Sequence, residues 1–124
     1  MAILEQARSR RFDEMKELKF QPHLAEMIRN REKWLTWRLF DDKDLSEGDK
    51  VQFIDKKDEK IFAEAILTKV WMKPFGEFGD KEFDGHEKFS TEEERYETYS
   101  RYYGRDVDKD TPVKMAIFKI EKYI

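Results

Sequence analysis

Two short runs of this chain carry side chains of the types and spacing that do polar chemistry. Lys33-Trp34-Leu35-Thr36-Trp37-Arg38 places an ammonium, a hydroxyl and a guanidinium close together and interleaves them with two tryptophans. Gly85-His86-Glu87 places an imidazole beside a carboxylate, just ahead of a helix-start signal. A threonine hydroxyl is a poor nucleophile until a base takes its proton. A lysine desolvated beside other cations, here Arg31 and Arg38, can have its pKa lowered enough to be that base. A carboxylate from a distant loop would orient the lysine or pass a proton to a leaving amine; Glu87 suits this work, and so does His86. The same residues also suit binding without reaction. Arg29, Arg31, Lys33 and Arg38 would contact phosphate, while Trp34, Phe75, Phe78 or Phe83 stack on a base. Ordinary structural roles stay open for each: Thr36 is a common strand former, Arg38 a common surface cation, and tryptophans fill cores.

The elements that must position these groups follow from periodicity. From Trp34 to Leu39 the chain alternates as a strand, with Leu35, Trp37 and Leu39 on one face and Trp34, Thr36 and Arg38 on the other. Period two separates Lys33 from Thr36 in a regular strand, so Lys33 has to sit in the turn before the ladder begins. Upstream, Ala2–Leu18 reads as a helix, Leu18–Phe20 as a short strand, and Pro22 to Asn30 as a helix with proline in its first turn. Downstream, Gly48-Asp49 is a turn, Val51–Ile54 a strand, and the charged run Asp55–Lys60 a hairpin loop. Ile61–Trp71 fits a helix by composition, but its β-formers and its two apolar faces favour a strand, which Pro74 ends. Phe75–Phe89 holds three glycines and four phenylalanines in a charged frame and fits no regular element. It is either a lid or ligand wall, or a loop pinned to the core by its phenylalanines. Ser90 or Thr91 caps a helix with Tyr96, Tyr99 and Tyr103 as its buried stripe and Gly104 as its stop, and Val113–Tyr123 is a final central strand. The sum is an α+β domain with a small, strongly curved or closed sheet.

Composition narrows the function classes. At 124 residues there is room for one domain and one chain-length core. Charged residues are 43% of the chain, yet the net charge is −3, which excludes wrapping duplex nucleic acid by bulk electrostatics and leaves only a local cationic patch for such contacts. No cysteine is present, so disulfides and thiolate metal sites are excluded. His23 and His86 stand far apart without metal-ligand spacing, so neither a metal nor a cofactor is expected. The N-terminal residues are rich in arginine and lack a long apolar run, which predicts neither a signal peptide nor a membrane span and makes the cytoplasm the expected location. Oligomeric state is not legible.

K-x-x-T-x-R at Lys33, Thr36 and Arg38, G-H-E at Gly85, His86 and Glu87, the Gly48-Asp49 turn and the closing run VKMAIFKI together resemble the ASCH domain of the PUA-like superfamily, in order and spacing, over residues 18 to 123. The resemblance implies a small PUA-like β-barrel with peripheral helices over residues 18–124, preceded by a helical extension over 1–17, and a cleft between barrel and loop. It implies RNA, a nucleotide or a modified nucleoside as ligand. Some small members of that family hydrolyse N4-acylated cytidine through a lysine, a threonine and a glutamate, roles that would fall on Lys33, Thr36 and Glu87, with Arg38 in support. Arg31, Trp34, Arg38, Phe83 and His86 are then the expected ligand-binding residues of a cationic, aromatic-lined cleft. The chain departs from the family pattern at Asn30-Arg31, where glycine is common, and at Trp34 and Trp37, which are bulkier than the usual residues and predict a narrower pocket.

Overall fold

A computed structural model describes residues 15–124, in which five strands form one mixed sheet. The strands are β1 (Lys16–Phe20), β2 (Leu35–Leu39), β3 (Lys50–Asp55), β4 (Lys60–Pro74) and β5 (Pro112–Tyr123). Their order is β1-β3-β4-β5-β2; β1 runs parallel to β3, and the other pairs are antiparallel. Helices α1 (Pro22–Arg29), α2 (Asp80–Phe83) and α3 (Glu92–Tyr103) and a 3-10 turn at Phe75–Glu77 complete the described elements. Most of the helix expected over Ala2–Leu18 lies outside the described residues, as does most of the 1–17 extension. Lys16–Leu18 is strand instead, so the sheet begins before the expected domain boundary. Leu18 and Phe20 are buried while Glu17 and Lys19 are exposed, and pairing with β3 selects that period of two.

The remaining strands and the two longer helices fall where periodicity and caps put them. Pro22 occupies the first turn of α1, and Leu24, Ala25 and Ile28 form its buried face. The Thr91 hydroxyl accepts the Glu94 N–H at 3.0 Å, and Gly104 ends α3 in the left-handed conformation. Phe75–Phe89 is not irregular throughout, since it contains the 3-10 turn and α2. The long β4 is a strand, as its β-formers demanded. Its ladder shifts register against β5 at Glu64/Ala65 and Leu67/Lys69. Such bulges increase twist and bend the strand, and here they coil the sheet into a half-barrel.

Alternate residues of β5 feed two cores. Ala116 and Phe118 join Leu18, Phe20, Phe53 and α1 inside the coil. Val113 and Met115 join Leu35, Trp37, Phe75 and Tyr99 on the outer face, beneath α3 and the aromatic loop. Leu35 is fully buried, whereas Ile117 is only partly so. Leu35→Ala is therefore expected to lower stability by roughly 2–5 kcal/mol in urea unfolding, and Ile117→Ala by less. Equal losses at the two positions would contradict the outer core as described.

The barrel stays open between its two edge strands, β1 and β2. A side chain bridges them: the Arg38 guanidinium of β2 donates to the Lys19 carbonyl of β1 at 3.0 Å and lies over the Phe20 ring at 4.6 Å. The candidate site occupies this seam.

Candidate functional site

Lys33 sits in the turn before β2, as the period-two argument required. Arg31 has φ +62°, so the turn ahead of Lys33 puts a non-glycine residue in the strained left-handed region. The loop is then clamped to the start of β2, because the Gly85 carbonyl accepts both the Trp34 N–H (2.9 Å) and the Leu35 N–H (3.2 Å). Gly85 has φ +80°, and a Cβ there would overlap the Trp34 indole. Gly85→Ala should thus cost about 1–3 kcal/mol, from backbone strain plus the forced displacement of Trp34. A variant as stable as the parent, with Trp34 fluorescence unchanged, would show that this clamp does not set the loop.

The clamp brings His86 and Glu87 against Lys33. The Lys33 ammonium donates to Glu87 Oε1 at 2.9 Å and to the Leu35 carbonyl at 2.7 Å, with the side chain almost wholly out of water. His86 Nδ1 lies 3.0 Å from the same Oε1 and 2.9 Å from the Glu87 carbonyl oxygen, and its Nε2 lies 3.2 Å from the Tyr99 hydroxyl. The His86 ring stacks on Trp37 at 3.5 Å, nearly parallel, and the Trp37 indole N–H donates to the Glu82 carbonyl at 2.8 Å. Burial pushes the Lys33 pKa down to about 8; the Glu87 charge opposes that shift and the Arg38 charge adds to it. Burial and the Lys33 charge hold His86 down at about 4, hence neutral at pH 7. Burial alone would raise Glu87, but the His86 hydrogen bond and the Lys33 charge outweigh it and hold the carboxyl well below the usual range.

A cavity of about 260 Å³ opens in front of Lys33 between β1 and β2. Among the described residues its cations are Lys19, Lys33, Arg38, Lys43 and Lys56, against one carboxylate, Glu17. Thr36 also lines it, and its Oγ1 accepts the Arg38 Nε–H at 3.2 Å. Tyr99, Tyr102 and Tyr103 of α3 make the aromatic wall. The Tyr103 hydroxyl accepts the Leu39 N–H at 3.1 Å, which fastens α3 to the open edge of β2.

Of the residues singled out in the sequence, Lys33, Thr36 and Arg38 line this cavity. Glu87 and His86 stand behind Lys33, joined to it by the contacts above. Arg31 and Trp34 do not line it; they border a second concavity, which Lys33 also lines, with Tyr123, over whose ring the Arg31 guanidinium lies at 5.3 Å. Arg29 is engaged by Asp55 at 3.0 Å, so the expected cationic group of Arg29, Arg31, Lys33 and Arg38 is dispersed. Phe83 does not line the cavity between β1 and β2 either. With Phe75 and Phe78 it packs edge-on to Trp37 and around the buried Arg95 guanidinium. The aromatic loop is pinned to the outer core because Trp37 and Arg95 give its rings better partners than water. Its phenylalanines do not line the cavity between β1 and β2. The tyrosine wall was the missed feature, although Tyr99, Tyr102 and Tyr103 fall on one helix face, and hydroxyls there suit a lined cavity better than a dry core. Nothing local marks Lys19, Lys43 or Lys56.

A five-stranded half-barrel with peripheral helices and a cleft at its open seam is a PUA-like α+β fold. No family model matches the sequence, and no curated protein matches it significantly. Solved structures do. Protein EF3133 of Enterococcus faecalis, described by the family model DUF984, superposes with a TM-score of 0.73 at 15% identity, covering 89% of this chain and 82% of its own. The ASCH domain from Lactobacillus crispatus gives 0.58 at 18% identity, over 77% of this chain and 69% of that one. ASCH from Zymomonas mobilis gives 0.60 at 14% identity, over 87% and 68%. At these identities the likeness is one of fold, and the chain has the ASCH-domain fold. No helix among the described residues is long and apolar enough to cross a membrane.

Proposed function

We propose that this protein binds a nucleotide, or one nucleotide of an RNA, in the cavity between β1 and β2. The observation that carries the reading is a local reversal of charge: in a chain of net charge −3, the described residues lining a cavity walled by tyrosines include five cations and one carboxylate, and Arg38, Lys43 and Lys56 remain positive after Lys19 pairs with Glu59 and Lys33 with Glu87. Cations suit phosphate and aromatic faces suit a base. About 260 Å³ accommodates one nucleoside-sized group and not a strand. A thermal-shift screen with nucleosides, nucleotides and short RNAs tests it, because a ligand bound to the native state raises the melting temperature by mass action. Arg38→Ala should weaken a phosphate-bearing ligand by roughly tenfold or more, less so at high salt. Affinity that ignores both salt and Arg38 would contradict phosphate recognition here.

A second reading, hydrolysis of an amide such as an N4-acylated cytidine, is favoured by one observation. Lys33, with its pKa lowered to about 8, shares the cavity with the Thr36 hydroxyl. In this reading about one lysine in ten is neutral at pH 7 and takes the Thr36 proton. The Thr36 oxygen then attacks the amide carbon, and the Lys33 ammonium returns the proton to the leaving nitrogen. Water hydrolyses the resulting acyl-threonine. Glu87 holds Lys33 in place throughout. Release of the free amine from an N4-acylated cytidine by the purified protein supports this reading. Binding without release leaves the first reading alone.

A further inference from the structure

Among the described residues, Tyr99 is the one cavity residue hydrogen-bonded to the buried histidine, and the order of protons along that chain decides what the cavity offers a ligand. His86 Nδ1 faces two atoms that can only accept, the Glu87 carbonyl oxygen (2.9 Å) and Glu87 Oε1 (3.0 Å). The Nδ1 atom must therefore carry the ring proton of a neutral imidazole, and Nε2 is left as an acceptor. Tyr99 lies 3.2 Å from Nε2 and has to donate its hydroxyl proton there. Parallel stacking of the ring on Trp37 at 3.5 Å resists rotation of the imidazole out of this arrangement. The neutrality of His86 agrees with its depressed pKa of about 4.

We infer that the chain Lys33–Glu87–His86–Tyr99 is proton-ordered, so that Tyr99 presents oxygen lone pairs to the cavity and the site selects a ligand that points an amide or amino N–H at Tyr99. A tyrosine hydroxyl holds one proton and two lone pairs, and no other described residue donates to this oxygen. Lys33 commits two of its three N–H bonds to Leu35 and Glu87, the third has no hydrogen-bond partner among the described residues, and Lys33 lines the cavity. The site thus offers an acceptor from α3 and a donor from the turn before β2, which matches a ligand carrying an N–H close to an oxygen or an unprotonated ring nitrogen. The ligand class rests on the nucleotide reading above; the proton order does not.

Two measurements separate them. The chain has two histidines, His23 and His86, so nitrogen-15 spectra of the full-length protein at pH 7 can assign the tautomer of each. His86 is expected with its proton on Nδ1. A proton on Nε2 would reverse the chain and overturn the inference. For the ligand class, adenosine monophosphate is compared with its N6,N6-dimethyl analogue, which lacks the amino N–H. The parent protein should bind the first at least tenfold more tightly, and Tyr99→Phe should bring that ratio close to one. A ratio equal in parent and variant would overturn the selection by Tyr99. If neither nucleotide binds, the nucleotide reading fails, and the histidine spectrum alone decides the proton order.

Discussion

Replacing Lys33 with methionine is expected to abolish ligand binding and any amide hydrolysis, and to lower stability by about 3–5 kcal/mol at neutral pH. The size of the loss comes from what is left behind. Glu87 would remain ionised and mostly buried with His86 as its one strong partner, and its Oε2 already has no hydrogen-bond partner among the described residues. Removing one member of a buried ion pair strands the other, whereas removing both can be nearly neutral. A Lys33→Met, Glu87→Gln double variant should therefore recover a good part of the loss, since the stranded charge is gone. Urea unfolding of the parent and the two variants at pH 7 measures both. The His86 pKa should rise above about 4 in the single variant, because the Lys33 charge that depresses it has gone. A single variant within half a kcal/mol of the parent would mean that the ion pair does not hold the seam together.

Lowering the pH from about 6.5 to about 4 is expected to destabilise the fold by the order of 3 kcal/mol through His86 alone. Over that window the unfolded chain takes up a proton on this histidine while the folded chain does not, so protons favour the unfolded state. Glu87 acts in the same direction at lower pH. Its folded pKa is depressed, so its stabilisation is present above the ordinary value of 4.5 and is lost as the pH falls below it. Lys33 acts at the other end. Its folded pKa lies near 8 against an ordinary 10.5, so the unfolded chain binds more protons between those values and stability from this group rises with pH there. Urea midpoints at pH 7, 5.5 and 4 check the acid limb. His86→Gln should be less stable than the parent at pH 7 but should lose most of the slope between pH 6.5 and 4. A parent midpoint that stays level across that interval would contradict a buried, neutral His86.

How much of this was legible differs from element to element. Pro22, Thr91 and Gly104 mark helix ends by chemistry that acts over a few residues, and β2 through β5 follow from alternation read over a similar span. The same local reasoning placed Lys33 in a turn, because period two forbids it from sharing a strand face with Thr36. The aromatic loop resisted it. Phe75, Phe78 and Phe83 suit a ligand wall and a core equally well, and it was Trp37 and Arg95, distant in the chain, that drew them inward. Trp34 and Arg31 belong to the same cationic run as Lys33, yet the left-handed turn at Arg31 and the Gly85 clamp direct them to a different concavity. Tyr99 was legible as a buried helix residue but not as a partner of His86. The sequence by itself determined which segments are strand or helix and which residues carry usable chemistry, because propensity, periodicity and capping are short-range. Only the tertiary structure decided that Glu87 meets Lys33 across 54 residues and that three tyrosines face the open seam. Those meetings depend on strand order and on the coiling of β4, which arise from pairings between segments that no local pattern encodes.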